Sequence, residues 1–186
     1  NQMIYEFCAE NVTLLEKAMQ AGARRIELCD NLAVGGTTPS YGVTKAAVEL
    51  AANYDTTIMT MIRPRGGDFV YNDLEIAIML EDIHLTAQAG SQGVVFGALT
   101  ADKKLDKANL EKLIAASKGM EIVFHMAFDE LSDEDQLEAI DWLSQAGVTR
   151  ILTRAGVSGD SLDKRFAHYH RILEHAKGKI EILPGG

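Results

Sequence analysis

Short apolar runs alternate with amphipathic stretches along the whole chain of 186 residues. The runs are Ile4-Tyr5-Glu6-Phe7-Cys8, Arg25-Ile26-Glu27-Leu28-Cys29, Ile58-Met59-Thr60-Met61-Ile62-Arg63, Val94-Val95-Phe96, Ile122-Val123-Phe124-His125, Ile151-Leu152-Thr153 and Ile180-Glu181-Ile182-Leu183. None alternates cleanly between apolar and polar positions, which is the pattern of parallel strands covered on both faces. Between the first two runs, Leu14, Leu15, Ala18 and Met19 give one apolar helical face, with Asn11 as a candidate cap and Gly22 as the stop. Further helices are predicted over 43–52, 73–89, 109–117, 134–145 and 164–176. Strands alternating with helices imply right-handed crossovers and an α/β fold, either a (β/α) barrel or an open doubly wound sheet.

An internal repeat favours the barrel. Gln20-Ala21-Gly22, Gln88-Ala89-Gly90 and Gln145-Ala146-Gly147 each close a helix a few residues before the second, fourth and sixth strands. Recurrence on every other unit suits a TIM-type barrel, whose core layers draw on alternate strands. The first strand–helix turn, Cys8-Ala9-Glu10-Asn11, has no G-x-G-x-x-G, so no dinucleotide site is expected. A complete eight-stranded barrel needs at least ~200 residues, and seven strands are countable. The expectation is one βα-barrel domain over 1–186, incomplete at its C-terminus by the last βα unit.

Composition narrows the partners. Eighteen Lys and Arg against 27 Asp and Glu give a net charge of −9, which argues against nucleic acid and against an anionic membrane surface. No apolar run approaches the ~20 residues of a membrane span, and nothing at the N-terminus reads as a signal peptide. Two cysteines make no disulfide framework, so a cytoplasmic location is expected. Composition leaves open a small ion or metabolite as partner, and a second copy of the chain in a homo-oligomer.

Candidate chemistry gathers at the predicted C-terminal strand ends, where barrels carry their sites. Glu6-Phe7-Cys8 and Glu27-Leu28-Cys29 place a carboxylate and a thiol two apart, hence on one face of each strand. Paired thiolates suit soft Cu(I), although free cysteine is also a common core residue. A buried glutamate needs a partner, so Glu27 is either part of a satisfied polar network or catalytic. Ile62-Arg63-Pro64-Arg65-Gly66-Gly67-Asp68-Phe69 supplies forked cations and a glycine pair suited to a carboxylate or phosphate; Arg63 or Arg65 could instead pair with Glu6, Glu27 or Asp68. His125 and Asp129 form a candidate acid–base pair. Gly185 and Gly186 follow the seventh strand, where barrels often bind phosphate. His84, His168, His170 and His175 read as solvated or packed helix residues.

Taken together, these phrases resemble the CutC copper homeostasis protein family. The likeness rests on Glu27-Leu28-Cys29, Gly35-Gly36-Thr37-Thr38-Pro39-Ser40-Tyr41-Gly42, the Arg63-to-Phe69 string, Phe124-His125 with Ala127-Phe128-Asp129, and Pro184-Gly185-Gly186. The resemblance implies a TIM barrel, a cytoplasmic location, an association with copper tolerance, and Cu(I) ligands at Cys8 and Cys29. The chain departs from the family pattern twice. Met126 stands where an arginine is usual, and Arg154 follows Thr153 where a serine is usual, so Arg154 is expected to replace the missing guanidinium. The leading expectation is Cu(I) binding through Cys8 and Cys29. The alternative is an enzyme of unassigned reaction on a small anionic metabolite, with Arg63, Arg65, Asp68, Arg154, Gly185 and Gly186 binding the anion and Glu27, His125 and Asp129 as catalytic groups.

Overall fold

The structure, a computed structural model, describes residues 4–154 and 161–185. Seven strands alternate with helices: β1 (Glu6–Glu10), α1 (Leu15–Gln20), β2 (Arg25–Cys29), α2 (Tyr41–Ala52), β3 (Thr57–Met61), α3 (Asp73–Gln88), β4 (Gly93–Phe96), α4 (Lys107–Ala116), β5 (Glu121–Phe124), α5 (Asp133–Ala146), β6 (Arg150–Thr153), α6 (Leu162–Ala176) and β7 (Glu181–Pro184). The strands form one sheet in the order β1-β2-β3-β4-β5-β6-β7. Parallel strands in sequence order, each joined to the next through a helix, are the topology of the TIM-type (β/α) barrel class.

Caps explain the helix starts. Ser40, Ser132 and Ser161 each accept a backbone N–H from the first turn of α2, α5 and α6, and Asn72 forms a reciprocal capping box with Glu75 on α3. The helix stops of the repeat are real. Gly22, Gly90 and Gly147 all take positive φ, where a side chain would be strained. The first helix differs from expectation. Asn11 and Leu14 are left-handed, so Asn11 caps nothing and α1 begins only at Leu15.

The chain forms two compact units. One runs to Asp68 and adds Asn72–Val95 and Ala115–Glu121; the other comprises Phe69–Tyr71, Phe96–Ile114 and the chain from Ile122. In the first, Leu15, Met19, Ile26, Leu28, Ala47, Ala51 and Ile58 pack one core between helices and sheet. In the second, Phe124, Phe128, Leu110, Ile140 and Ile151 are fully buried or nearly so.

The same ionic pairing closes the start of the sheet in each unit. Glu6 lies opposite Arg25, with Arg25 Nε 2.9 Å from the carboxylate. Arg150 lies opposite Glu181, with Nε 3.0 Å from the carboxylate. Buried arginine at a strand start is tolerated because a cross-strand acid meets it.

Candidate functional site

In the first unit the sheet register sets the chemistry. Cys8 lies directly opposite Glu27, and Glu10 opposite Cys29. The two Glu-x-Cys phrases are therefore offset by two residues rather than aligned. The offset leaves Glu6 to Arg25 and puts the Glu27 carboxylate between two thiols. Cys8 Sγ donates to Glu27 Oε2 at 3.8 Å, and Cys29 Sγ to Oε1 at 3.7 Å. Cys8 is exposed, whereas Cys29 is buried. The two cysteines are diagonal neighbours across parallel strands, and both are free thiols.

Electrostatics shifts all three groups toward their protonated forms. Burial, then the charge of Glu6, raises the Glu27 carboxyl to about 7, against the opposing pull of its two thiol donors. Loss of water, then Glu27 and Glu6, raises the Cys8 thiol to about 12. Cys29 is raised further by burial, Glu27 and Cys8, and only weakly opposed by Arg63.

Arg63 follows β3 and is buried. Its Nη1 donates to the carbonyls of Val34 (2.6 Å) and Gly36 (3.0 Å), and its Nη2 to that of Gly67 (2.9 Å). The guanidinium thus ties the glycine loop after β2 to the loop after β3. Gly35 and Gly36 are required there. Both have φ of 95°, and a Cβ on Gly36 would lie 3.0 Å from Cys29 Sγ. Thr38 completes the join, accepting the Arg63 N–H at 2.8 Å and donating to its carbonyl at 3.1 Å. Arg65 instead pairs with Glu75 and, at 3.2 Å, with the exposed Asp68. That pairing lies at the start of α3.

The second unit holds the other predicted residues. His125 follows β5, is buried, and accepts the Ala127 N–H on Nδ1 at 3.1 Å. Phe69 packs on its ring at a centroid distance of 4.9 Å. Gly97 makes room for the ring, since a Cβ there would be 2.5 Å from His125 Cε1. Asp129 turns toward β6: Thr153 Oγ1 donates to Oδ1 at 2.5 Å and the Arg154 N–H to Oδ2 at 3.0 Å. Burial raises its pKa, and these two donors lower it. The exposed Arg154 side chain lies against Met126, Nε to Sδ 3.0 Å. The guanidinium thus reaches Met126 from the end of β6. Gly185 donates its N–H to the Thr153 carbonyl at 3.0 Å, prolonging the β6–β7 ladder; Gly186 lies outside the described residues.

Sequence reasoning missed Thr38, Gly97 and Phe69. Thr38 acts on a residue 25 positions away. Only the packing of the His125 ring explains Gly97 and Phe69.

Sequential parallel strands with polar side chains at their C-terminal ends define a protein of the TIM-type βα-barrel class. The CutC family profile matches residues 3–186. The chain belongs to the CutC family. It is 52% identical over 184 residues to a CutC family protein of Enterococcus faecalis, covering 99% of this chain and 88% of that one. It is 40% identical over 186 residues to the human copper homeostasis protein cutC homolog, covering 100% and 66%. A crystal structure of CutC from Streptococcus agalactiae superposes with a TM-score of 0.94 at 45% identity, covering 100% of this chain and 88% of that one. No described helix is long and apolar enough to cross a membrane.

Proposed function

We propose that this chain is a cytoplasmic copper homeostasis protein that takes Cu(I) between Cys8 and Cys29. The observation carrying the reading is the convergence of two thiols on one carboxylate, at 3.8 and 3.7 Å, from neighbouring strands. The donor set fits the cargo. Among the described residues no group of three or more His, Cys, Asp or Glu is arranged to hold a metal ion. Two soft sulfurs suit Cu(I). The exposed Cys8 gives the metal a way in, and the buried Cys29 gives it a dry seat. Binding displaces the two thiol protons; an ionised Glu27, already bonded to both thiols, takes one of them and solvent takes the other. The relatives named for copper homeostasis support the same reading.

Anaerobic titration with Cu(I), competed against a chromogenic chelator, tests it. About one Cu(I) per chain is expected, and none in the Cys8→Ser, Cys29→Ser double variant. An unchanged stoichiometry in that variant overturns the assignment.

A further inference from the structure

Within the second unit, α6 lines a cavity of about 380 Å³ against α5 and the end of β6. That is the size of a site for a small metabolite. Lys164, Arg165, His168 and Arg171 all face it. Residues 164, 168 and 171 fall on one helical face by spacing. Lys164, Arg165 and Arg171 make no ion pair with any described residue, in a chain with nine more acids than bases. Three cations left together beside a cavity repel one another unless an anion joins them.

The acids on the cavity wall are already engaged. Asp129 accepts from Thr153 and from the Arg154 N–H. Asp133 stands 3.4 Å from His168 Nε2, which also meets Gln136. Two polar atoms remain buried without a protein partner, Arg165 Nε and His168 Nδ1. Arg165 Nε is an N–H donor, and a buried donor without an acceptor is destabilising, so an oxyanion bound beside it supplies the missing acceptor.

We infer that this cavity binds a small metabolite through a phosphate or carboxylate group, held by Lys164, Arg165 and Arg171. Arginine forks match either oxyanion, and the cavity has room for a short carbon chain beyond it. The site lies in a different unit from Cys8 and Cys29 and stands or falls independently of copper.

The test is calorimetric titration of the full chain with inorganic phosphate and, separately, with citrate, at low ionic strength and without copper. Saturable binding of at least one of them is expected. Phosphate alone identifies a phosphorylated ligand, and citrate alone a carboxylated one. The Lys164→Gln, Arg165→Gln, Arg171→Gln variant should bind about ten-fold more weakly or worse, while Lys45→Gln, an exposed lysine on α2, should match the wild type. A second measurement needs no variant. Saturating ligand should protect Lys164 of the wild-type protein from acetylation, read by mass spectrometry, and leave Lys45 reactive. Failure of both anions to bind, wild-type affinity in the triple variant, or equal labelling of Lys164 with and without ligand overturns the site.

Discussion

Glu27, buried within β2, and Asp129, half-buried in the turn after β5, are both carboxyls that meet two donors, and the protein treats them differently. Glu27 is met by two thiols at 3.7 and 3.8 Å and by the negative charge of Glu6, and it rises to about 7. Asp129 is met by a hydroxyl and a backbone N–H at hydrogen-bond distance; it too is raised by burial, but both donors work against the rise. Burial penalises Glu27 more than the half-buried Asp129, and the Glu6 charge adds to that rise. The donors widen the difference, because S–H is a weak donor and O–H and N–H are strong ones. The first unit therefore keeps a carboxyl near neutrality beside two soft ligands. The second spends its carboxylate on holding β6. The arginines divide in the opposite sense: Arg63 is buried and committed to three carbonyls, whereas the Arg154 side chain is exposed.

The largest expected effect follows from Arg63. Arg63→Ala leaves the carbonyls of Val34, Gly36 and Gly67 without their shared donor. A loss of about 3–5 kcal/mol is expected in urea unfolding. A loss below ~1 kcal/mol would show that the loop stands without the guanidinium and would remove the contrast with Arg154.

The carboxylates give the next effect, measured on copper-free protein. Glu27 binds its proton more tightly folded than unfolded, since its pKa rises from 4.5 to about 7. Its stabilising contribution is therefore complete below about 4.5 and is lost as pH rises through about 7. A wild-type decline on the order of 2 kcal/mol between those limits is expected. Glu27→Gln should flatten that part of the curve, and the variant should overtake the wild type above neutrality. An identical slope in the two proteins would mean that Glu27 is not the group that titrates there.

Much of this architecture is legible in the sequence for simple reasons. Buried parallel strands are uninterrupted apolar runs, and helix stops such as Gly22, Gly90 and Gly147 need positive φ, so both announce themselves locally. The site is less legible because its contacts are set by register and packing. Glu6-Phe7-Cys8 and Glu27-Leu28-Cys29 look alike, yet the pairing of Cys8 with Glu27 follows from a two-residue offset that neither phrase encodes. Arg63 reads as an anion clamp because its acceptors, the carbonyls at 34 and 36, lie almost thirty positions earlier and carry no side-chain signature. Glycine at 97 is intelligible only once the His125 ring is seen beside it. The cations of α6 carry no such signal, because helical spacing does not distinguish a solvated face from the wall of a cavity.

The smallest effect separates backbone from side chain at Arg154. Its N–H holds Asp129 Oδ2 at 3.0 Å, a bond that any residue but proline makes equally well. Its side chain is exposed and touches the Met126 sulfur, a weak acceptor. Arg154→Ala should therefore change stability by no more than about 0.5 kcal/mol. Thr153→Val removes the buried hydroxyl that donates to Oδ1, and should cost about 1–2 kcal/mol. Thermal unfolding of the two variants side by side decides the matter. Equal losses would show that the Arg154 guanidinium carries structural weight at the end of β6, and the division between a committed Arg63 and an uncommitted Arg154 would then fail.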